Sequence, residues 1–178
     1  MNEFVLMTRR AGAVERYHTE RTLMRQTVAE HSYNVANIVL ELAGEHVTTN
    51  LLRAALHHDI AEQYTGDIPA PAKVEWPSLH MALQEIERAF HDGAEVSYEL
   101  TTEEQTLLKW ADALELLYYC LEERAMGNTA IEPVYQRGDS YFSRLTTPFP
   151  PSNDPALDML AECRIRWEEL TKGENHAR

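Results

Sequence analysis

Residues 101–127 read TTEEQTLLKWADALELLYYCLEERAMG. Thr101 and Glu104 have the spacing of a capping box, in which each side chain satisfies the other's backbone N–H. Behind them Leu107, Ala111, Leu114, Tyr118 and Leu121 recur at helical spacing, and Gly127 is a natural stop. The stretch therefore predicts a long helix with one face in a core. The same period continues upstream. Over residues 29–45, Val35, Ile38, Val39 and Leu42 form a stripe, and His31 falls on it four residues before Val35. Thr49 or Asn50 is expected to cap a further helix running to about Tyr64, with Leu51, Ala55, His58 and Glu62 on one face and Asp59 beside them. Thr65-Gly66-Asp67-Ile68-Pro69 should break it, and Pro69 and Pro71 are expected to prevent an immediate restart. Ser78 can cap a helix ending near Gly93, and another is expected over residues 130–145. Residues 147–151 read as a rigid Pro-rich linker. Asp154-Pro155 opens a last helix to about Lys172, and residues 173–178 read as a frayed tail. With no alternating β-branched run and no internal repeat, the expected fold is all-α: a single compact helical bundle, one domain over residues 1–178.

Composition narrows the function. The chain has 178 residues, 44% of them apolar and 25% charged, which is ordinary for a globular protein and too apolar for a disordered one. No apolar run approaches the roughly 20 residues of a membrane span. Met1-Asn2-Glu3-Phe4 lacks the basic start and apolar stretch of a secretory signal. Two cysteines, Cys120 and Cys163, are too few for a disulfide scaffold and read as reduced thiols of a cytoplasmic protein. The net charge of −13 disfavours a nucleic-acid polymer as partner. A small anion remains open to it, provided a few basic residues surround a local cation.

Four residues carry the chemistry: His31, the adjacent pair His58-Asp59, and Asp112. Each lies on or beside an apolar helical stripe, and isolated buried carboxylates or imidazoliums are costly without a partner. A lone histidine on such a stripe is most often a hydrogen-bonded core residue. The joint pattern is what points to a ligand set. Two imidazoles and two carboxylates suit one divalent ion such as Co, Mn or Zn better than Ca. Adjacent side chains leave a helix about 100° apart, so His58 and Asp59 can both reach a cation off the helix end. Glu62, one turn further, and Asp67, in the loop, then stand where a general acid or base is needed.

These residues carry a resemblance. The order His…His-Asp…Asp resembles the HD-domain metal phosphohydrolases. More closely, the chain is similar to the 5'-deoxynucleotidases of the YfbR type. The matching stretches are Arg16-Tyr17, Ala29-Glu30-His31-Ser32, His57-His58-Asp59-Ile60-Ala61-Glu62, Thr65-Gly66-Asp67-Ile68-Pro69 with Lys73, Lys109-Trp110-Ala111-Asp112-Ala113-Leu114, and Cys120-Leu121-Glu122-Glu123 with Gly127-Asn128. They span about residues 14–130. The resemblance implies an HD-type helical fold, with His31, His58, Asp59 and Asp112 as metal ligands. It implies Glu62 and Asp67 as an acid/base pair with interchangeable roles, and Arg16 as a phosphate contact, with Lys73 and Lys109 placed for further phosphate oxygens. The family's usual aromatic after this arginine is Trp, packed against the sugar; here it is the smaller Tyr17. The implied activity is hydrolysis of a deoxynucleoside 5'-monophosphate to nucleoside and phosphate. A deoxynucleoside triphosphohydrolase, dATP-selective as in compact phage relatives that exclude adenine from their DNA, is the alternative. A non-catalytic helical binding protein is a third reading. Relatives form dimers or larger assemblies, so a homo-oligomer is expected, without nucleic-acid or membrane partners.

Overall fold

Burial, more than local helix preference, organises the chain around one helix. The computed structural model describes residues 2–93, 98–145 and 155–174. Among these are nine α-helices: α1 Glu3–Gly12, α2 Val28–Ala43, α3 Thr49–His57, α4 Glu62–Thr65, α5 Ala70–Glu75, α6 Pro77–Gly93, α7 Thr102–Ala125, α8 Glu132–Arg144 and α9 Pro155–Glu174. Two short 3-10 turns, Gly44–His46 and Thr129–Ile131, join them. No strand is present among the described residues, and one isolated antiparallel bridge links Glu15 to Thr27. The all-α expectation holds. No described helix is long and apolar enough to cross a membrane, and Cys120 and Cys163 are free and buried.

The centre is α7. It packs against α2, α3, α8 and α9, so it is apolar around most of its circumference, as a helix surrounded by others must be. Leu114, Leu117 and Cys120 are fully buried, and Trp110 meets Phe142 of α8 edge-on at 4.3 Å between ring centroids. Its start is the expected capping box, with Thr101 and Glu104 making both reciprocal bonds. Gly127, just beyond the helix, takes φ +91°, which a glycine adopts without strain.

Several boundaries differ from the sequence reading. α1 lies outside the sequence reading, although Phe4, Met7 and Ala11 recur on one face at helical spacing, with Ala11 buried and the other two half-buried. α2 starts at Val28 behind a Thr27/Glu30 capping box and stops at Gly44, φ +52°. The helix expected to reach Tyr64 instead starts after Thr48 and ends at His57. His58 and Asp59 sit in tight turns before the single-turn α4. The prolines of 69–71 do not block a restart: Pro69 occupies the cap position of α5 and Pro71 its first turn, where no backbone N–H is needed. α6 begins at Pro77, one residue ahead of the proposed Ser78 cap. The 130–145 helix resolves into the second 3-10 turn, capped by Asn128, followed by α8. α9 continues to Glu174, so the start of the proposed tail is helical. The linker at 147–151, the cap at Asp154 and the tail beyond 174 lie outside the described residues.

Phe142 is fully buried against Trp110. Phe142→Ala should therefore lower unfolding free energy by about 3–5 kcal/mol, read from the urea midpoint at unchanged slope. A loss below about 1 kcal/mol would show that the α7–α8 contact does not hold the core together.

Candidate functional site

His31 enters the core from the first turn of α2, where the capping box fixes the helix start. Its side chain is fully buried. Nδ1 lies 2.6 Å from Glu115 Oε2, and Nε2 faces His58 Nε2 at 3.1 Å, Asp112 Oδ1 at 3.2 Å and Asp59 Oδ2 at 3.5 Å. His58 arrives from the turn after α3. Its Nδ1 lies 2.9 Å from the Ala55 carbonyl, which only accepts, so Nδ1 carries a proton. Its Nε2 is 3.4 Å from Asp59 Oδ2. The helix interruption brings His58 and Asp59 together. A ring nitrogen takes the Ala55 carbonyl that would otherwise hold a helical N–H, and the chain tightens into i→i+3 bonds from Ile60 to His57 and from Glu62 to Asp59.

Both Nδ1 atoms donate outward, so both Nε2 atoms turn lone pairs toward one point. Two facing lone pairs at 3.1 Å repel unless a cation lies between them. His31, His58 and Asp112 offer ligand atoms all within 4.8 Å of one another, and Asp59 borders the same point. Nitrogen and carboxylate donors with an outward hydrogen bond on each ring fit a borderline divalent ion. Without one, a proton fills the gap. Burial and Arg16 push the His31 imidazolium down, but bonds to Asp112 and Glu115 outweigh them and raise its pKa to about 9. Burial works against the Asp59 and Asp112 charges, yet the surrounding His31, His58 and Arg16 hold both below the usual carboxylate range.

Arg16 donates from Nη1 to Asp59 Oδ2 at 3.0 Å. Burial opposes its charge, but Tyr17, Asp59, Asp112 and Glu115 more than offset that and keep it charged. Tyr17 follows at φ +55°, a left-handed conformation that is rare for a bulky residue. Its ring stacks on Tyr119 at 4.4 Å between centroids and 2° between planes. Its backbone N–H donates to Asp67 Oδ2 at 3.3 Å. Glu62 is half-buried, with Oε2 hydrogen-bonded to nothing among the described residues. Burial first, then Asp59 and Asp67, push its carboxyl up to about 8 against the pull of Arg16 and Lys73. Glu62 and Lys73 line one small cavity together with Thr65, Ile68 and Leu83. Lys109 is exposed on α7, one turn before Asp112, and takes no part in this hydrogen-bond network.

Three contributors escape a reading of helical stripes. Glu115 is a buried acid inside the apolar run of α7, and that misfit is the signal that marks it. Glu123, also fully buried, accepts from the backbone N–H groups of Leu23 and Met24, at 2.8 and 2.6 Å. Tyr119 donates to the Met24 carbonyl at 2.9 Å. Together Glu123 and Tyr119 clamp the loop that follows Arg16 and Tyr17 onto α7.

Comparison with known proteins places this geometry. The chain is 27% identical over 183 residues to a 5'-deoxynucleotidase of Vibrio vulnificus, covering 85% of this chain and 94% of that protein. It is 28% identical over 151 residues to a 5'-deoxynucleotidase of Yersinia pestis, covering 72% and 77%. Its fold is similar to that of a cyanophage S-2L HD phosphohydrolase solved with dA and one catalytic Zn2+ ion (TM-score 0.64, 20% identity, 94% of this chain and 96% of that one). It is also similar to an HD-domain phosphohydrolase of Listeria innocua (TM-score 0.64, 23% identity, 96% and 98%). The model of the YfbR-like 5'-deoxynucleotidases matches residues 3–149, which contain every residue of the His31–Asp112 cluster, and the chain belongs to that family.

Proposed function

We propose that the chain is a metal-dependent 5'-deoxynucleotidase that cleaves a deoxynucleoside 5'-monophosphate into deoxynucleoside and phosphate. The observation that carries this reading is the pair of Nε2 atoms at 3.1 Å, bordered by two carboxylates, with the Arg16 guanidinium on one of them. His31, His58, Asp59 and Asp112 would hold the cation. When bound, the ion polarises the phosphoryl group and lowers the pKa of a water molecule.

The chain's own residues supply the rest. Arg16 offers charged donors to the phosphate oxygens that the cation does not reach, and these stabilise the charge that develops in the transition state. Glu62, with a carboxyl near 8, is poised to exchange a proton with the attacking water close to neutral pH. Asp67 is the other member of the acid/base pair, and the two can exchange roles between the attacking water and the leaving 5'-oxygen. The bond of Asp67 to the Tyr17 backbone ties it to the ring that the family resemblance sets against the sugar. Lys73, beside Glu62, supplies a second positive charge and supports a longer phosphate chain as the competing substrate.

Incubating the protein with Co2+ or Mn2+ and, separately, dAMP, AMP and dATP tests this. The expected products are inorganic phosphate and deoxyadenosine from dAMP, with slower release from AMP. Tripolyphosphate from dATP as the main product would transfer the reading to a triphosphohydrolase. No release with any metal would leave a binding protein.

Glu62→Gln should keep metal content and KM near those of the unaltered protein while kcat falls about 10²–10⁴-fold. Near-normal turnover at saturating dAMP would remove Glu62 from proton transfer.

Metal uptake should depend on pH in a defined direction. Below about 9 the His31 proton occupies the place of the cation, so binding must release it. Apparent Co2+ affinity should rise between pH 6 and 8 by about tenfold per pH unit for each proton displaced. Calorimetry in buffers of different ionisation enthalpy would count those protons, and a flat affinity with no proton release would rule out this exchange.

A further inference from the structure

We infer that Glu115 is a positioning residue that sets the metal-facing nitrogen of His31 and, through Gln26, fixes Arg16 in register with it; the inference rests on the metal reading above. Its two oxygens are divided. Oε2 accepts from His31 Nδ1 at 2.6 Å, and Oε1 accepts from Gln26 Nε2 at 2.7 Å and from Asn34 Nδ2 at 3.4 Å. Holding the proton on Nδ1 leaves Nε2 as the lone pair for a cation, and a carboxylate partner makes that nitrogen a stronger donor.

The other branch runs to the arginine. The backbone carbonyl of Gln26 accepts from the Arg16 N–H at 2.8 Å. On either side, Glu15 pairs with Thr27, and the Val28 N–H reaches the Val14 carbonyl at 2.9 Å. Residues 14–16 and 26–28 therefore form a short antiparallel clasp at the start of α2, the helix that carries His31. Gln26 is the member of this clasp whose side chain turns inward to α7. The path from the arginine to the histidine is thus Arg16 backbone, Gln26 backbone, Gln26 amide, Glu115, His31 ring. At its end Arg16 Nη1 is 3.0 Å from Asp59 Oδ2, and that oxygen is 3.5 Å from His31 Nε2.

Core packing does not account for this arrangement. Glu115 is 2% exposed between Leu114 and Leu116, where an apolar residue would avoid the desolvation cost of a carboxylate. Gln26 is 5% exposed, and its amide oxygen is buried with no hydrogen-bond partner among the described residues. Both residues are kept at a cost that apolar side chains would avoid, and what they share is the link between His31 and Arg16.

The test uses Zn2+ as the metal probe and dAMP as substrate. His31 and Gln26 address different oxygens of the carboxylate, so in an amide one of their N–H groups would face a donating NH2 instead of an acceptor. Glu115→Gln should weaken Zn2+ binding by about 10–100-fold and also raise KM for dAMP several-fold at saturating metal. Gln26→Ala should raise KM similarly while leaving Zn2+ affinity within about twofold. A protein altered only in folding stability would show neither split. Unchanged Zn2+ affinity in Glu115→Gln, or unchanged KM in Gln26→Ala, overturns the inference while the metal reading stands. Failure of the unsubstituted protein to bind Zn2+ overturns the metal reading and the inference with it. A readout independent of any variant is nitrogen-15 NMR of the zinc-loaded, unsubstituted protein. There His31 Nδ1 should carry a slowly exchanging, strongly deshielded proton, and a bare Nδ1 overturns the inference.

Discussion

A carboxylate taken out of water costs several kcal/mol unless hydrogen bonds replace its hydration, and α7 buries two of them, Glu115 and Glu123. Much of the polar architecture follows from satisfying these two. Glu115 draws in His31 and Gln26; Glu123 draws in the backbone of Leu23 and Met24 and the amide of Asn128. Asn128 in turn reaches the Arg21 carbonyl at 2.8 Å. The irregular segment from Arg16 to Gln26 is anchored by Tyr17 and Met24 packed against the core and by the hydrogen bonds its backbone and Gln26 give to the acids of the central helix.

The same constraint sets the electrostatics. Asp59, Glu62 and Asp67 from one stretch and Asp112 and Glu115 from α7 converge on a region whose buried positive groups are Arg16 and a protonated His31. Such a concentration of acids repels a phosphate dianion, and the chain's overall charge of −13 adds to the repulsion. Arg16 is already engaged by Asp59, so one guanidinium is too little to reverse the local sign. A divalent cation at the facing histidines would do so while consuming no donor of Arg16. On the proposed function, metal binding and phosphate binding would therefore belong to one site, which reconciles the acidic composition with an anionic substrate.

How much of this was legible in the sequence depends on the range of the interactions. The α7 capping box and stripe, the α2 stripe and the His-Asp order are local patterns, and they predicted the helical class and the convergence of His31, His58, Asp59 and Asp112. α1 was legible in the spacing of Phe4, Met7 and Ala11, but it fell outside a reading that began from the longer stripes of α2 and α7. The prolines at 69 and 71 were misread because their effect depends on position: in a first turn they remove no bond, whereas in an interior they would. Glu115, Glu123 and Gln26 were missed for a different reason. Their partners lie 84 to 100 residues away, and hydrogen bonds over such sequence distances leave no periodic signal. Lys109 lies one turn before Asp112 on the same side of α7 and is exposed; its contact with phosphate oxygens belongs to the proposed function.

The break after His57 is the feature that turns a helix face into a site. In an unbroken helix to Tyr64, His58 and Glu62 would stack one turn apart on one face and Asp59 would project about 100° away. The three side chains would then fan outward from the axis. Ending the helix at His57 bends the backbone, so that Asp59 swings to within 3.4 Å of His58 Nε2 and 3.0 Å of Arg16, while Glu62 begins a new turn. The bend needs a substitute for the lost helical bond at Ala55, and His58 Nδ1 provides it. The same bond keeps the proton on Nδ1 and turns the Nε2 lone pair inward. One hydrogen bond therefore replaces the lost helical bond, fixes the tautomer and aims the nitrogen that the proposed function gives to the cation, so exchanging His58 for another side chain would also alter the backbone that positions Asp59.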